Sequence, residues 1–143
     1  MTTAKKNSAE ITAHHYGSEV FYLSETIYGA GAAVPTIQGT KDANAPPCAA
    51  EIASLSRTST GIYVVTLYDA YWAVAYCHAE VDDTAAGNLD CRISNWTNLQ
   101  TATPATFTLR VYSPGGTTPA DIPNATPCRI HVIFKKSYTG AKA

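Results

Sequence analysis

Ser59-Thr60-Gly61-Ile62-Tyr63-Val64-Val65-Thr66-Leu67 is the stretch that decides how this chain is read. Gly61 ends a turn, and the residues after it are β-branched, aromatic or leucine, the types that fit a pleated, half-buried surface. Successive side chains of a strand point to opposite faces. Ile62, Val64 and Thr66 therefore share one face, and Tyr63, Val65 and Leu67 the other. Both faces are largely apolar, which predicts a central strand covered on both sides. Just upstream, residues 51–57 alternate Ile52, Ser54 and Ser56 against Ala53, Leu55 and Arg57. The turn 58–61 joins the two runs into a hairpin.

The same period recurs outward in both directions. Residues 18–27 carry Val20, Phe21, Tyr22, Leu23 and Ile27, a first strand, and 36–39 give a short edge strand before a polar loop. Pro46-Pro47 excludes a central strand there. Residues 72–81 form a long strand, with Trp72, Val74 and Tyr76 on one face and Ala73, Ala75, Cys77, Ala79 and Val81 on the other. Leu89, Cys91 and Ile93 alternate with Asp90, Arg92 and Ser94. Phe107, Leu109 and Val111 point inward from 106–112, and Cys128, Ile130, Val132 and Phe134 from 128–134. The intervening 113–127 is rich in Pro, Gly, Thr and Asn, so it reads as a long loop.

Helical periodicity is absent. The expectation is an all-β fold, an antiparallel β-sandwich of jelly-roll or Ig-like type with seven to nine strands. It divides into an extended N-terminal arm over 1–17, a sandwich domain over 18–138 and a flexible tail over 139–143. The arm is polar and lacks a sustained period, so it cannot bury enough apolar surface alone.

With 143 residues the chain suits a single domain. Net charge is −1 and charged residues make up 15%, against about a quarter in an average protein. A surface so weakly charged suits packing against other proteins. It excludes nucleic acid, which needs a basic stripe to neutralise phosphates. No apolar run approaches the roughly twenty residues that span a bilayer, so no membrane role is expected. The start, Met1-Thr2-Thr3-Ala4-Lys5-Lys6-Asn7, is not followed by an apolar stretch, so synthesis in a cytoplasm is expected. Asn95-Trp96-Thr97 and Asn124-Ala125-Thr126 match the glycosylation sequon and are read as chance in that compartment.

Ser54-Leu55-Ser56-Arg57-Thr58-Ser59-Thr60-Gly61-Ile62-Tyr63-Val64-Val65-Thr66-Leu67-Tyr68-Asp69 resembles a phrase of small virion structural proteins of tailed bacteriophages, in which an Arg-Thr-x-x-Gly-x-Tyr-x-Val-Thr-Leu hairpin opens the second half of a β-sandwich. The end is similar too: Phe107-Thr108-Leu109-Arg110-Val111-Tyr112, a glycine loop at Gly115-Gly116 with Asp121, then Arg129-Ile130-His131-Val132-Ile133-Phe134-Lys135-Lys136-Ser137. The resemblance covers about residues 50–138. It implies a head decoration or cement protein on the virion that bridges the major capsid protein, and an oligomer, with a trimer suiting local threefold positions. A fibre module that binds a receptor or glycan is the alternative.

Chemistry-bearing residues are weighed against plainer roles. If 72–81 and 89–93 form a hairpin turning near residue 84, Cys77 stands opposite Cys91, close to disulfide reach. Cys48 and Cys128 each follow a proline and could pair with each other or across subunits. A reducing compartment of synthesis favours free thiols instead. His14-His15, His78 and His131 do not show the spacing of a metal site. Asp82, Asp83 and Asp121 sit among turn formers and read as solvated turn acids. Asp82, Asp83 and Asp90 lack a recognised calcium-loop pattern. No Gly-x-Ser-x-Gly elbow occurs. No catalytic residue, metal or cofactor is therefore expected, and the chain reads as non-enzymatic. The aromatic excess, nine Tyr and two Trp against three Phe, points to an interface. Its candidates are Tyr68, Tyr71, Trp72 and Trp96, joined by His14, His15 and Tyr16 of the arm.

Overall fold

A computed structural model describes residues 20–38, 52–83 and 88–135. The expected arm, the tail, His14, His15, Tyr16 and Cys48 lie outside these residues. The described chain is all-β, with eight strands: β1 (Val20–Tyr28), β2 (Thr36–Ile37), β3 (Ile52–Ser59), β4 (Ile62–Leu67), β5 (Ala73–Val81), β6 (Asp90–Thr97), β7 (Thr106–Tyr112) and β8 (Pro127–Lys135). Every pairing is antiparallel. The strands form two four-stranded sheets, β2-β1-β8-β5 and β3-β4-β7-β6. This is the expected β-sandwich. No helix among the described residues is long and apolar enough to cross a membrane.

β4 is central, hydrogen-bonded to β3 on one side and β7 on the other. Its Tyr63, Val65 and Leu67 are buried against the opposite sheet. Ile62, Val64 and Thr66 are only half-buried, which corrects the expectation of a strand covered on both faces. A two-layered body gives each strand one inner face, so the other relies on lateral neighbours for cover. At Val64 those neighbours are Ser56 and Thr108.

Among the register shifts, two show how a bulge changes which side chains turn inward. The β3–β4 register shifts between Ile52 and Ser54, so Ile52 pairs with Leu67 and is buried, on the same side as Leu55 and Arg57. In β5 the shift falls between Val74 and Tyr76. Val74 consequently packs on the core while Tyr76 faces out, 54% exposed. An extra residue in one strand slips the two-residue period by one, so faces assigned by strict alternation invert on passing it.

Both sheets contribute rings to the centre. Tyr71 stacks on Phe134 of β8, with centroids 3.9 Å apart and planes at 12°. Trp96 of β6 meets Phe107 of β7 at 4.6 Å and stands nearly perpendicular to Phe134, with centroids 5.6 Å apart. Ile122, from the long loop between β7 and β8, is fully buried with them.

Candidate functional site

The 113–126 loop folds back on the β3–β4 hairpin. Tyr112 and Pro119 form an isolated bridge, and the Ala120 amide donates to the Val111 carbonyl. This delivers Asp121 to the hairpin. Its Oδ1 accepts from Arg57 Nε at 3.0 Å, from the Gly61 amide at 2.9 Å and from the Tyr63 hydroxyl at 3.0 Å. Its Oδ2 accepts from Arg57 Nη2 at 2.8 Å. The Tyr63 oxygen in turn accepts from the amide of Ile122 at 3.1 Å. Asp121 is thus not the solvated turn acid expected from its neighbours. Arg57, Gly61 and Tyr63 come from the hairpin phrase that carried the resemblance, and here they converge on a single carboxylate.

The electrostatics follow from the contacts. The Arg57 hydrogen bonds hold the Asp121 carboxyl down at about 2, helped by the Gly61 amide and the Tyr63 hydroxyl and opposed by burial. Burial pushes the Tyr63 phenol up to about 12, with the Asp121 charge adding to it. The bond to Asp121 raises the Arg57 guanidinium further. A carboxylate offers about four acceptor positions, and four donors from this chain use them. The hub ties a loop to a hairpin, with three donors on Oδ1 and one on Oδ2.

The outer face of β1, β8 and β5 is different in kind. Registers place Tyr22, Ile133 and Tyr76 in one row across the three strands. Tyr22 is 69% exposed, and Val20 extends the apolar end at 50%. The next row is Ser24, His131 and His78, with Ser24 Oγ 3.3 Å from His131 Nδ1. Beyond it Arg129 meets Asp82 at 3.1 Å and Glu80 at 3.9 Å. These pairs are largely exposed and contribute little to stability. The face therefore grades from aromatic through imidazole to charged.

The other expected residues divide. Tyr68 is exposed, Trp72 is half-buried, and Tyr71 and Trp96 are committed to the ring cluster. Asp83 is buried at the end of β5, where a solvated acid was expected. The hairpin expected between 72–81 and 89–93 does not form, because β5 and β6 lie in opposite sheets. Cys77, Cys91 and Cys128 are free thiols. Cys77 lies in the opposite sheet from Cys91, and burial raises its thiol pKa. Among the described residues, no group of three or more His, Cys, Asp or Glu side chains converges as a metal site. An open depression of about 650 Å³ lies beside the β1–β2 turn, walled by Tyr28, Thr36, Gln38 and Asn124 among others. The described part of its wall carries a phenol, a hydroxyl and two amides as its polar side chains.

Sequence reasoning did not single out the exposed row of Tyr22 and Ile133, nor Asp121 as a hub. Tyr22 had a signal, since alternation from the inward Leu23 sends it out. Asp121 had none, because its partners lie about sixty residues upstream. Compared with known proteins, the chain matches no family, no curated sequence and no solved structure.

Proposed function

We propose that this chain is a non-enzymatic structural protein of a virion, a capsid decoration or cement protein that packs the outer face of β1, β8 and β5 against the major capsid protein. The observation that carries this reading is the Tyr22–Ile133–Tyr76 row, two exposed tyrosines flanking a half-buried isoleucine across three paired strands. Tyr supplies large contact area at low entropic cost and keeps a polar tip for the wet rim. The resemblance in the hairpin phrase supports the same reading. So does the Asp121 hub, which stiffens one end of the body from within. Self-association as a trimer on the shell follows from the resemblance.

The test is binding of the purified protein to shells of the major capsid protein. Tyr22→Ala together with Tyr76→Ala lowers affinity by about 30-fold or more, as expected for two central aromatic anchors. Tyr68→Ala, at the far side of the chain's pairing scheme, leaves affinity within a few-fold. Equal binding by the double variant and the wild type would overturn the proposal. The alternative, a glycan-binding fibre module with Tyr71, Trp72 and Trp96 as stacking platforms, is less supported, since Tyr71 and Trp96 are packed against phenylalanines and Trp72 alone stands outside that cluster.

A further inference from the structure

The crossover from β5 to β6 carries the chain from one sheet to the other, and at that end the layers come together. Cys128 is on the inner face of β8, flanked by Ile27 of β1 and Val81 of β5, and is fully buried. Cys91 is the second residue of β6, opposite Val111, half-buried and packed on the same core. The registers bring both to the same end of the sandwich, Cys128 beside Val81 at the end of β5 and Cys91 beside Val111 near the start of β6, and the two thiols interact electrostatically. Each therefore comes from a different sheet, and each points into the space between them. The spacing-based pairing of Cys77 with Cys91 gives way to a different couple, and the pairing of Cys48 with Cys128 lies outside the described residues.

We propose that Cys91 and Cys128 are a dithiol site that a small-molecule disulfide of the glutathione class converts to an inter-sheet disulfide in the folded protein. Cys91, the more accessible thiol, loses its proton to solvent and attacks one sulfur of the oxidant. One glutathione thiolate leaves and a mixed disulfide remains. Cys128 then gives up its proton, its sulfur attacks Cys91 Sγ, and the second glutathione leaves. Two protein thiols and one glutathione disulfide become one protein disulfide and two glutathione thiols. The contact with Cys91, followed by burial, raises the Cys128 thiol well above its usual range. The second step is accordingly slow at neutral pH and speeds up as pH rises, since the thiolate is the nucleophile. The cross-link closes the span 92–127 and covalently joins a central strand of one sheet to an edge strand of the other. This inference does not depend on the functional reading above.

The experiment uses the full chain and a Cys48→Ser/Cys77→Ser variant that retains only the couple. Both are incubated, folded, with oxidised glutathione at about pH 8, where thiols begin to ionise. Intact mass, thiol titration after denaturation and peptide mapping are then read. The expected result is loss of two hydrogens, a Cys91–Cys128 linked peptide and a rise in melting temperature of roughly 5–15 °C that reductant reverses. Adding Cys91→Ser to that variant should abolish the oxidant-dependent rise while the protein remains folded. Both thiols staying free, a glutathione adduct on Cys91 that never resolves, or cross-linking only after unfolding in denaturant would each overturn the proposal.

Discussion

Asp121 concentrates more directed interactions than any other side chain described above, and its charge state sets their worth. Its carboxyl sits at about 2 in the folded protein against an ordinary 3.8. A depressed carboxylate contributes stability that is fully present above the ordinary value and is lost as pH falls toward the folded one. Urea midpoints should therefore fall between about pH 4 and pH 2. Asp121→Asn should flatten that part of the profile while lowering stability at neutral pH by about 2 kcal/mol, the cost of losing a charge-assisted cluster. An unchanged acid limb in the variant would show that other carboxylates set the slope. Tyr63 acts at the other extreme. Its phenol, raised to about 12, favours the neutral form in the fold. That contribution is complete below pH 10 and disappears as pH climbs through 12. Neither role was legible beforehand. Pro, Gly and Thr around Asp121 carry the local signal of a loop, and it lies in one; the hydrogen bonds come from a hairpin that no neighbouring residue announces.

At the scale of the element, the β3–β4 turn shows how backbone and packing agree. Gly61 holds φ at +67°, and a β-carbon there would lie 2.4 Å from the carbonyl oxygen of Val111. That oxygen belongs to the next strand and cannot retreat without breaking its bond to Ala120. Gly61→Ala should cost about 2–4 kcal/mol in chemical denaturation, combining left-handed strain with the clash. Gly115→Ala, also left-handed at +97° but with open space around it, should cost only about 1 kcal/mol. Equal losses at the two sites would remove close approach as the reason for Gly61. The strands themselves were readable, since alternation of apolar and polar residues gives β1, β4, β7 and β8 nearly to the residue. What failed were phase and partner. Ala53 and Ala75 sit in the bulges, and alanine carries no mark of one. The loop after Val81 has the polar residues of a hairpin turn, yet β5 takes β8 as its partner and β6 takes β7. Turn chemistry is the same for a hairpin and for a crossover. The choice is made by strands more than ten residues away.

For the whole molecule, the two layers meet through rings. Phe134 stacks on Tyr71 and makes a T-shaped contact with Trp96, so it couples its own sheet to the other. Phe134→Ala should destabilise the protein by about 3–5 kcal/mol, measured by urea unfolding, and Phe134→Leu by much less, because leucine refills most of the space. The β1–β8 ladder has a consequence of another kind. Its nine paired positions run from Val20–Lys135 to Tyr28–Pro127, so the earliest described strand finds its main partner in the latest. A nascent chain leaving the ribosome exposes β1 until β8 is made, with the two-residue β2 as its other partner among the described strands. The first sheet can assemble only once β8 has emerged. Closing such a distant contact is slow. Until it closes, the cell holds an unpaired edge rich in Val, Phe, Tyr and Leu, the kind of edge that sticks to its neighbours.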